Sequence, residues 1–314
     1  MLDYRHCTLC PRACGVDRTA GERGFCQMPD HILAARAALH YWEEPVISGS
    51  FGSGAVFFSG CTLRCAFCQN GVISQENFGK EVSSQELRAA FERLIDEGCQ
   101  NINLVTPTHF LPSILPALAP KLPVPVVYNC GGYERVETLR ELEGLIDIYL
   151  PDMKYMSPVL AGKYSKAQDY PAGAMAALAE MFRQVGTPVF EVEKPDDNTA
   201  TDEAGLIMKR GMIVRHLVLP GCTADSKAVV KYLYDTYGDD IYMSIMSQYT
   251  PMPELMPGGK LNALYPELGR CVTQEEYDEV VDYAIELGVE NAFIQEGDVA
   301  KDSFIPDFDM LAGV

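Results

Sequence analysis

From residue 53 onward, short apolar runs alternate with segments whose apolar residues recur at helical spacing. Ala55-Val56-Phe57-Phe58, bounded by Gly54 and Gly60, has the form of a buried strand. Ser83 with Glu86 forms a capping box ahead of one apolar face, Leu87, Phe91, Leu94 and Ile95, and Gly98 supplies a stop. Ile102 to Val105, Val124 to Asn129 and Ile146 to Leu150 read as further strands, and a helix is predicted over Ala172 to Val185, ending at Gly186. Val189 to Glu193 and Leu206 to Lys209 are expected to form a hairpin around the polar loop Asp196 to Thr201. Ile213 to Leu219 and Ile241 to Ser247 read as two more core strands. Thr273 with Glu276 caps a last helix, followed by a short strand at Ala292 to Gln295.

This alternation predicts an α/β fold whose parallel sheet has right-handed crossovers, and an open or closed (β/α) barrel accommodates the strand count. Three segments are expected: a Cys-rich N-terminal module over 1–45, the barrel over 46–255, and a helix and strand extension over 256–314. Ligand sites in such folds lie at the carboxyl ends of strands. Here those ends carry Cys61 to Cys68, Thr106 to His109, Asn129 to Gly132, Asp152 to Lys154, Pro220 to Cys222 and Gln248 to Thr250.

The 314 residues are 47% hydrophobic and 22% charged, a globular balance. A net charge of −19 opposes nonspecific nucleic-acid binding and an anionic membrane surface. No run of 18 apolar residues occurs; the most apolar stretch, Ile102 to Tyr128, is broken by Pro107, Pro112, Pro116, Pro120, Pro123 and Pro125. Met1 to Cys7 lacks a signal-peptide pattern, so a cytoplasmic location is expected. In that reducing compartment, grouped cysteines point to metal or catalysis rather than disulfides.

Cys61-Thr62-Leu63-Arg64-Cys65-Ala66-Phe67-Cys68 places three thiols on one loop directly after a predicted strand. Three thiolates hold three irons of a [4Fe-4S] cubane and leave the fourth open. The other readings are free cysteines, a thioredoxin-like Cys65-x-x-Cys68 pair, or zinc with a further ligand.

The Cys-x3-Cys-x-aromatic-Cys segment, with Phe67 at the aromatic position, resembles the radical S-adenosylmethionine (SAM) superfamily. The resemblance implies a partial (β/α) barrel in which the open iron chelates SAM, and reductive cleavage gives a 5′-deoxyadenosyl radical that abstracts hydrogen from a substrate. It also implies a reductant such as flavodoxin or ferredoxin. Phe57-Phe58-Ser59-Gly60-Cys61 and Cys68-Gln69-Asn70 are similar to the branch of the pyruvate formate-lyase activating enzyme. Asp152-Met153-Lys154 resembles that branch's Asp-x-Lys near the SAM carboxylate, and Arg215 to Gly221 its Arg-x-x-x-x-Pro-Gly strand. His40-Tyr41-Trp42-Glu43-Glu44-Pro45 and Ser247 to Pro251 resemble the activating-enzyme-like iron–sulfur subgroup. A glycyl radical enzyme as protein partner is the leading implication; a small molecule or peptide is the alternative, and a two-cluster electron carrier the third.

Three departures are visible. Thr106-Pro107-Thr108-His109 stands where the superfamily carries Gly-Gly-Glu, which makes Thr106 and Thr108 candidate SAM contacts. Tyr128-Asn129-Cys130-Gly131 replaces the activases' Asp-Thr-Asn-Gly, leaving Asn129 as the candidate there, and Gln248-Tyr249 replaces Phe-His.

Cys7-x2-Cys10-x3-Cys14-x11-Cys26 supplies four thiols in a segment too short and too poor in apolar residues to fold by core burial. A metal staple is expected, either an auxiliary [4Fe-4S] cluster or zinc. Alternation along a strand allows only one of Arg215 and His216 to face the cavity, and Arg215 suits a carboxylate. Cys130 and Cys222 are strand-end thiols, and Glu43-Glu44 and Asp196-Asp197 read as solvated acidic loops.

Overall fold

The structure, a computed structural model, describes residues 2–193 and 205–295. The polar loop expected at Asp196 to Thr201 lies outside them. Strands β1 (Ile32–His40), β2 (Ser53–Phe58), β3 (Lys80–Val82), β4 (Ile102–Val105) and β5 (Val126–Cys130) are followed by β6 (Ile148–Pro151), β7 (Val189–Val192), β8 (Leu206–Leu217), β9 (Tyr242–Met246) and β10 (Ala292–Ile294). Helices α1 (Pro45–Ser48), α2 (Gly71–Gln75), α3 (Ser84–Asp96), α4 (Leu111–Ile114) and α5 (Val136–Arg140) alternate with the first strands. Helices α6 (Pro158–Ser165), α7 (Tyr170–Val185), α8 (Thr223–Tyr237) and α9 (Gln274–Leu287) complete the set.

The sheet runs β10-β9-β8-β6-β5-β4-β2-β1-β3, with β7 paired to β8. The pairs from β2 through β4, β5, β6, β8 and β9 to β10 are all parallel. Successive parallel strands are therefore neighbours and every crossover steps the same way. Right-handed crossovers then set the helices on one face and leave the other as the inside of an open barrel.

The pleat divides the strands between two environments. Val56, Ile102, Leu104, Val126, Tyr149 and Val214 pack in one buried cluster with Leu87, Phe91 and Leu94 of α3 and Leu178 of α7. Val127, Ile148, Leu150 and Ile213 point the other way and pack with Ile47 of α1. Ala55 and Phe57 join Ile73 and Val105 on that side. The capping box expected at Ser83 and Glu86 opens α3. Burying Leu87, Phe91 and Leu94 contributes roughly 5–9 kcal/mol before the entropy of ordering.

Two expectations change. Leu206 to Lys209 and Ile213 to Leu219 are not separate strands; β8 runs through both, antiparallel to β7 in its first half and parallel to β6 and β9 in its second. Gly211 makes the switch at φ +143°, where an added Cβ would lie 2.9 Å from Pro188 Cα. Secondly, β1 joins the main sheet, antiparallel to both β2 and β3, although it lies within the segment assigned to the N-terminal module. Residues 2–31 fold around Tyr4, Cys7 and Leu9. Buried Arg18 fastens them to the barrel by donating to the carbonyl of His109 (2.6 Å), while its other nitrogen donates to the carbonyl of Pro29 within the segment. Among the described residues, no helix is long and apolar enough to cross a membrane.

Candidate active site

The loop after β2 brings Cys61, Cys65 and Cys68 to a cavity of about 240 Å³ at the carboxyl ends of the parallel strands. The loop is held from both sides. Arg64, at φ +51°, donates to the carbonyl of Gln75, and the Gln75 amide donates back to the carbonyl of Cys65. Each sulfur also has a hydrogen-bonding neighbour: Leu63 N donates to Cys61 Sγ (3.4 Å), Ser74 Oγ donates to Cys68 Sγ (3.2 Å), and Ser165 Oγ lies 3.0 Å from Cys65 Sγ. Burial pushes the Cys65 thiol up to about 12, and it raises Cys68 as well. Three thiols lining one cavity, each with its own polar partner, have the donor chemistry of three iron–sulfur ligands. Phe67 also faces the cavity and packs edge-on against Tyr155, Tyr164 and Tyr249, which orders the loop.

The opposite wall is charged. Asp152 follows β6, and Arg215 sits inside β8. Arg215 Nε donates to Asp152 Oδ1 (3.0 Å), Nη2 to Asn129 Oδ1 (2.6 Å) and Nη1 to Glu43 Oε2 (3.3 Å). Lys154 Nζ donates to Asp152 Oδ2 at 2.5 Å. Burial alone would raise Asp152, but the Lys154 and Arg215 cations outweigh it and hold the carboxyl below its usual range. Burial opposes the charge on Lys154 and Arg215 too, and the neighbouring carboxylates prevail, so both stay firmly cationic. His216 is on the other face of β8, bonded through Nδ1 to the carbonyl of Met153 (2.7 Å).

Asn129, Asp152, Lys154, Arg215 and Thr106 thus share the cavity with the three cysteines. Thr106 takes φ +59°, a costly conformation for a β-branched residue, fixed by its N–H bond to the carbonyl of Asn129 (2.8 Å). Thr108 does not line the cavity. It is buried, donates to Glu134 Oε1 (2.9 Å) and accepts from Tyr128 Oη (3.0 Å). Cys130 lines the cavity and Cys222 does not.

Glu43 and Glu44 are not a solvated loop. After β1 the chain turns back into the barrel, where Glu43 accepts from Asn103 Nδ2 (3.1 Å) and ion-pairs with Arg215. Burial raises both carboxyls, against the pull of Arg215. Glu43 and Asn103 stand behind Arg215 without lining the cavity, and neither was foreseen there from the sequence. A lone Asn in the apolar run Ile102 to Val105 is the signal that marks an inward polar group.

At the N-terminus, Cys10 interacts electrostatically with Cys14 and Cys26, and Cys26 with Cys7 and Cys14. Burial raises the thiols of Cys10 and Cys26. Phe25 N donates to Cys14 Sγ at 3.3 Å. Among the described residues, no group of three or more His, Cys, Asp or Glu side chains is arranged as a ready site for a metal ion, neither this quartet nor Cys61, Cys65 and Cys68.

The uncharacterized protein MJ0674 of Methanocaldococcus jannaschii is 28% identical over 295 residues, covering 90% of this chain and 75% of that protein. Among solved structures, Streptococcus suis SuiB bound to S-adenosylmethionine is similar with a TM-score of 0.49 and 11% identity, over 76% of this chain and 48% of SuiB. SuiB bound to its precursor peptide SuiA gives a TM-score of 0.47 and 10% identity, over 74% and 46%. The chain spans about half the length of these structures. Residues 49–110, which carry Cys61, Cys65 and Cys68, match the family model of a 4Fe-4S single cluster domain.

Proposed function

We propose that this protein is a radical SAM enzyme that uses hydrogen abstraction to modify a substrate. The observation that carries the reading is the meeting of Cys61, Cys65 and Cys68 with Asp152, Lys154 and Arg215 in one cavity at the carboxyl ends of parallel strands. The match of residues 49–110 to a 4Fe-4S single cluster domain supports it independently.

A [4Fe-4S] cluster held by the three cysteines would supply the electron for reductive cleavage of bound SAM. The chain's own groups account for the rest. Lys154 offers an ammonium to the SAM carboxylate, and Asp152 holds that ammonium in place. Arg215 braces Asp152 and is itself held by Asn129, so the polar wall is set before SAM arrives. Thr106, Asn129 and Phe67 are the remaining candidate SAM contacts. The buried walls exclude water from a radical that must meet one C–H bond.

For the substrate, activation of a glycyl radical enzyme is the leading reading, supported by the activase-like runs Phe57 to Cys61 and Arg215 to Gly221. The altered wall at Thr106 and at Asn129-Cys130 favours a small molecule or peptide as the second reading. The N-terminal quartet is proposed to hold a second metal, an auxiliary cluster or zinc. A low-potential flavodoxin or ferredoxin is the proposed reductant, and the cytoplasm the proposed location.

Anaerobically reconstituted, reduced protein is expected to convert SAM to 5′-deoxyadenosine and methionine. Replacing Cys61, Cys65 and Cys68 by Ala should abolish this, and Lys154→Ala should weaken SAM binding while leaving the cluster spectrum intact. Wild-type cleavage in the triple variant would refute the proposal. A glycyl-radical doublet in the EPR spectrum with a candidate partner would select the first substrate reading over the second.

A further inference from the structure

Arg12 stands between Cys10 and Cys14, yet its guanidinium reaches the catalytic loop. Nε donates to the carbonyl of Thr62 (3.0 Å), the residue after Cys61. Nη2 donates to the carbonyl of Ser165 (2.8 Å), and Nη1 to that of Lys166. Ser165 is the last residue of α6, and Lys166 is its left-handed cap. These are carbonyls that a helix C-terminus leaves without partners, at its negative end, where a cation is favoured. The same helix end then touches the triplet twice more. Ser165 Oγ lies 3.0 Å from Cys65 Sγ, and Ala66 N donates to the carbonyl of Tyr164 (2.8 Å). The clamp is seated on its own module by the Phe25 ring, whose centroid is 3.8 Å from the guanidinium carbon. Phe25 precedes Cys26, so both ends of the quartet segment position this one side chain.

We propose that Arg12 is a positioning residue through which the N-terminal cysteine segment holds the triplet loop against α6, so that order in the quartet sets the geometry of the catalytic cysteines. The inference rests on the radical SAM reading for its consequence, but not for its geometry. A planar fork with three donors meets three carbonyls from two elements; a lysine ammonium in the same place reaches at most part of that set. Loss of order in the quartet releases the fork, and the triplet loop loses the hydrogen bond at Thr62 that ties it to the N-terminal module.

The test uses the full chain and two readouts besides activity. Hydrogen exchange of the Ala66 amide is followed in metal-free protein, and the EPR spectrum and reduction potential of the triplet cluster in reconstituted protein. Arg12→Lys is expected to speed Ala66 exchange by about tenfold or more and to shift the cluster spectrum. Cys10→Ser and Cys14→Ser should act in the same direction. Arg135→Lys is the control, because Arg135 Nη1 binds the carbonyl of Thr8 (2.9 Å) and so ties the same module to the barrel without touching the triplet loop. It should leave Ala66 unchanged. If Arg12→Lys does not fold, Phe25→Leu keeps the guanidinium, removes its seat and should accelerate Ala66 exchange. Unchanged exchange at Ala66 in the folded Arg12 or Phe25 variant overturns the clamp. Faster exchange in the Arg12 variant, with wild-type protein that never binds a cluster, would retain the clamp and refute the radical SAM reading instead.

Discussion

Glu134 shows how much one side chain's surroundings decide. It is buried among Thr108 and Tyr128, both of which donate to it, and burial outweighs them and pushes its carboxyl up to about 8. The folded state therefore keeps a proton that the unfolded chain releases near 4.5. The stability linked to that proton is present at low pH and is lost as pH rises from about 4.5 through about 8, at up to about 1.4 kcal/mol per unit. Glu134→Gln imitates the protonated acid and should remove this slope. Urea unfolding at pH 5 and at pH 8 checks it: the variant should gain on wild type as pH rises. Parallel pH dependence of the two proteins would show that Glu134 is ionised in the fold. Arg215 presents the opposite case, a charge kept because three partners match it, with Glu43 and Asp152 neutralising it and Asn129 completing the fork.

Among the elements, the turns after the parallel strands do more than join them. The turn after β5 approaches the one after β6 so closely that a Cβ on Gly132, at φ +76°, would lie 2.1 Å from the carbonyl oxygen of Asp152. Tyr170 of α7 bridges the same two turns, donating to or accepting from Gly131 O, Asp152 O and Lys154 N within 2.9 Å. Gly132→Ala is therefore expected to cost about 3 kcal/mol and to displace Asp152 and Lys154 together. Thermal unfolding measures the first effect and SAM affinity the second. A variant with wild-type stability would mean that the two turns are free to separate. Thr106 belongs to the same rim, and its left-handed backbone is held from β5 rather than by its own strand.

Across the whole molecule, the N-terminal segment is bound to the barrel over a broad front. Arg135 and Thr138, at the start of α5, donate to the carbonyls of Thr8 and Leu9, and Tyr4 Oη meets Ser113 Oγ at 2.9 Å. Its own apolar cluster is small, which is the physical ground for the proposed metal in this segment. With Cys61, Cys65 and Cys68 all replaced by Ala, elemental analysis should still find about four irons or one zinc per chain. Metal-free variant protein would contradict the second site. Zinc would keep the staple and exclude electron transfer through it.

Local pattern alone determined much of this protein. The strands at Ile102 to Val105, the caps at Ser83 and Thr273, and the thiol, carboxylate and ammonium groups at the strand ends were legible, because period, capping and strand-end position are short-range properties. The parity of β8 sets Arg215 at the cavity and His216 against the carbonyl of Met153. β1 was not legible: Ile32 to His40 is rich in alanine, and only pairing with β2 and β3 makes it a strand. Arg210-Gly211-Met212 read as an interruption between two strands, and β8 stays extended through it because different strands pair with its two halves. Glu43 and Glu44 looked solvated because their neighbours in sequence are silent about Arg215, which lies 172 positions from Glu43. Arg12, in a cysteine-rich turn, gave no sign that it reaches carbonyls of the triplet loop and of α6. Such burial and pairing depend on residues distant in the chain, and only tertiary packing brings their charges and hydrogen bonds together.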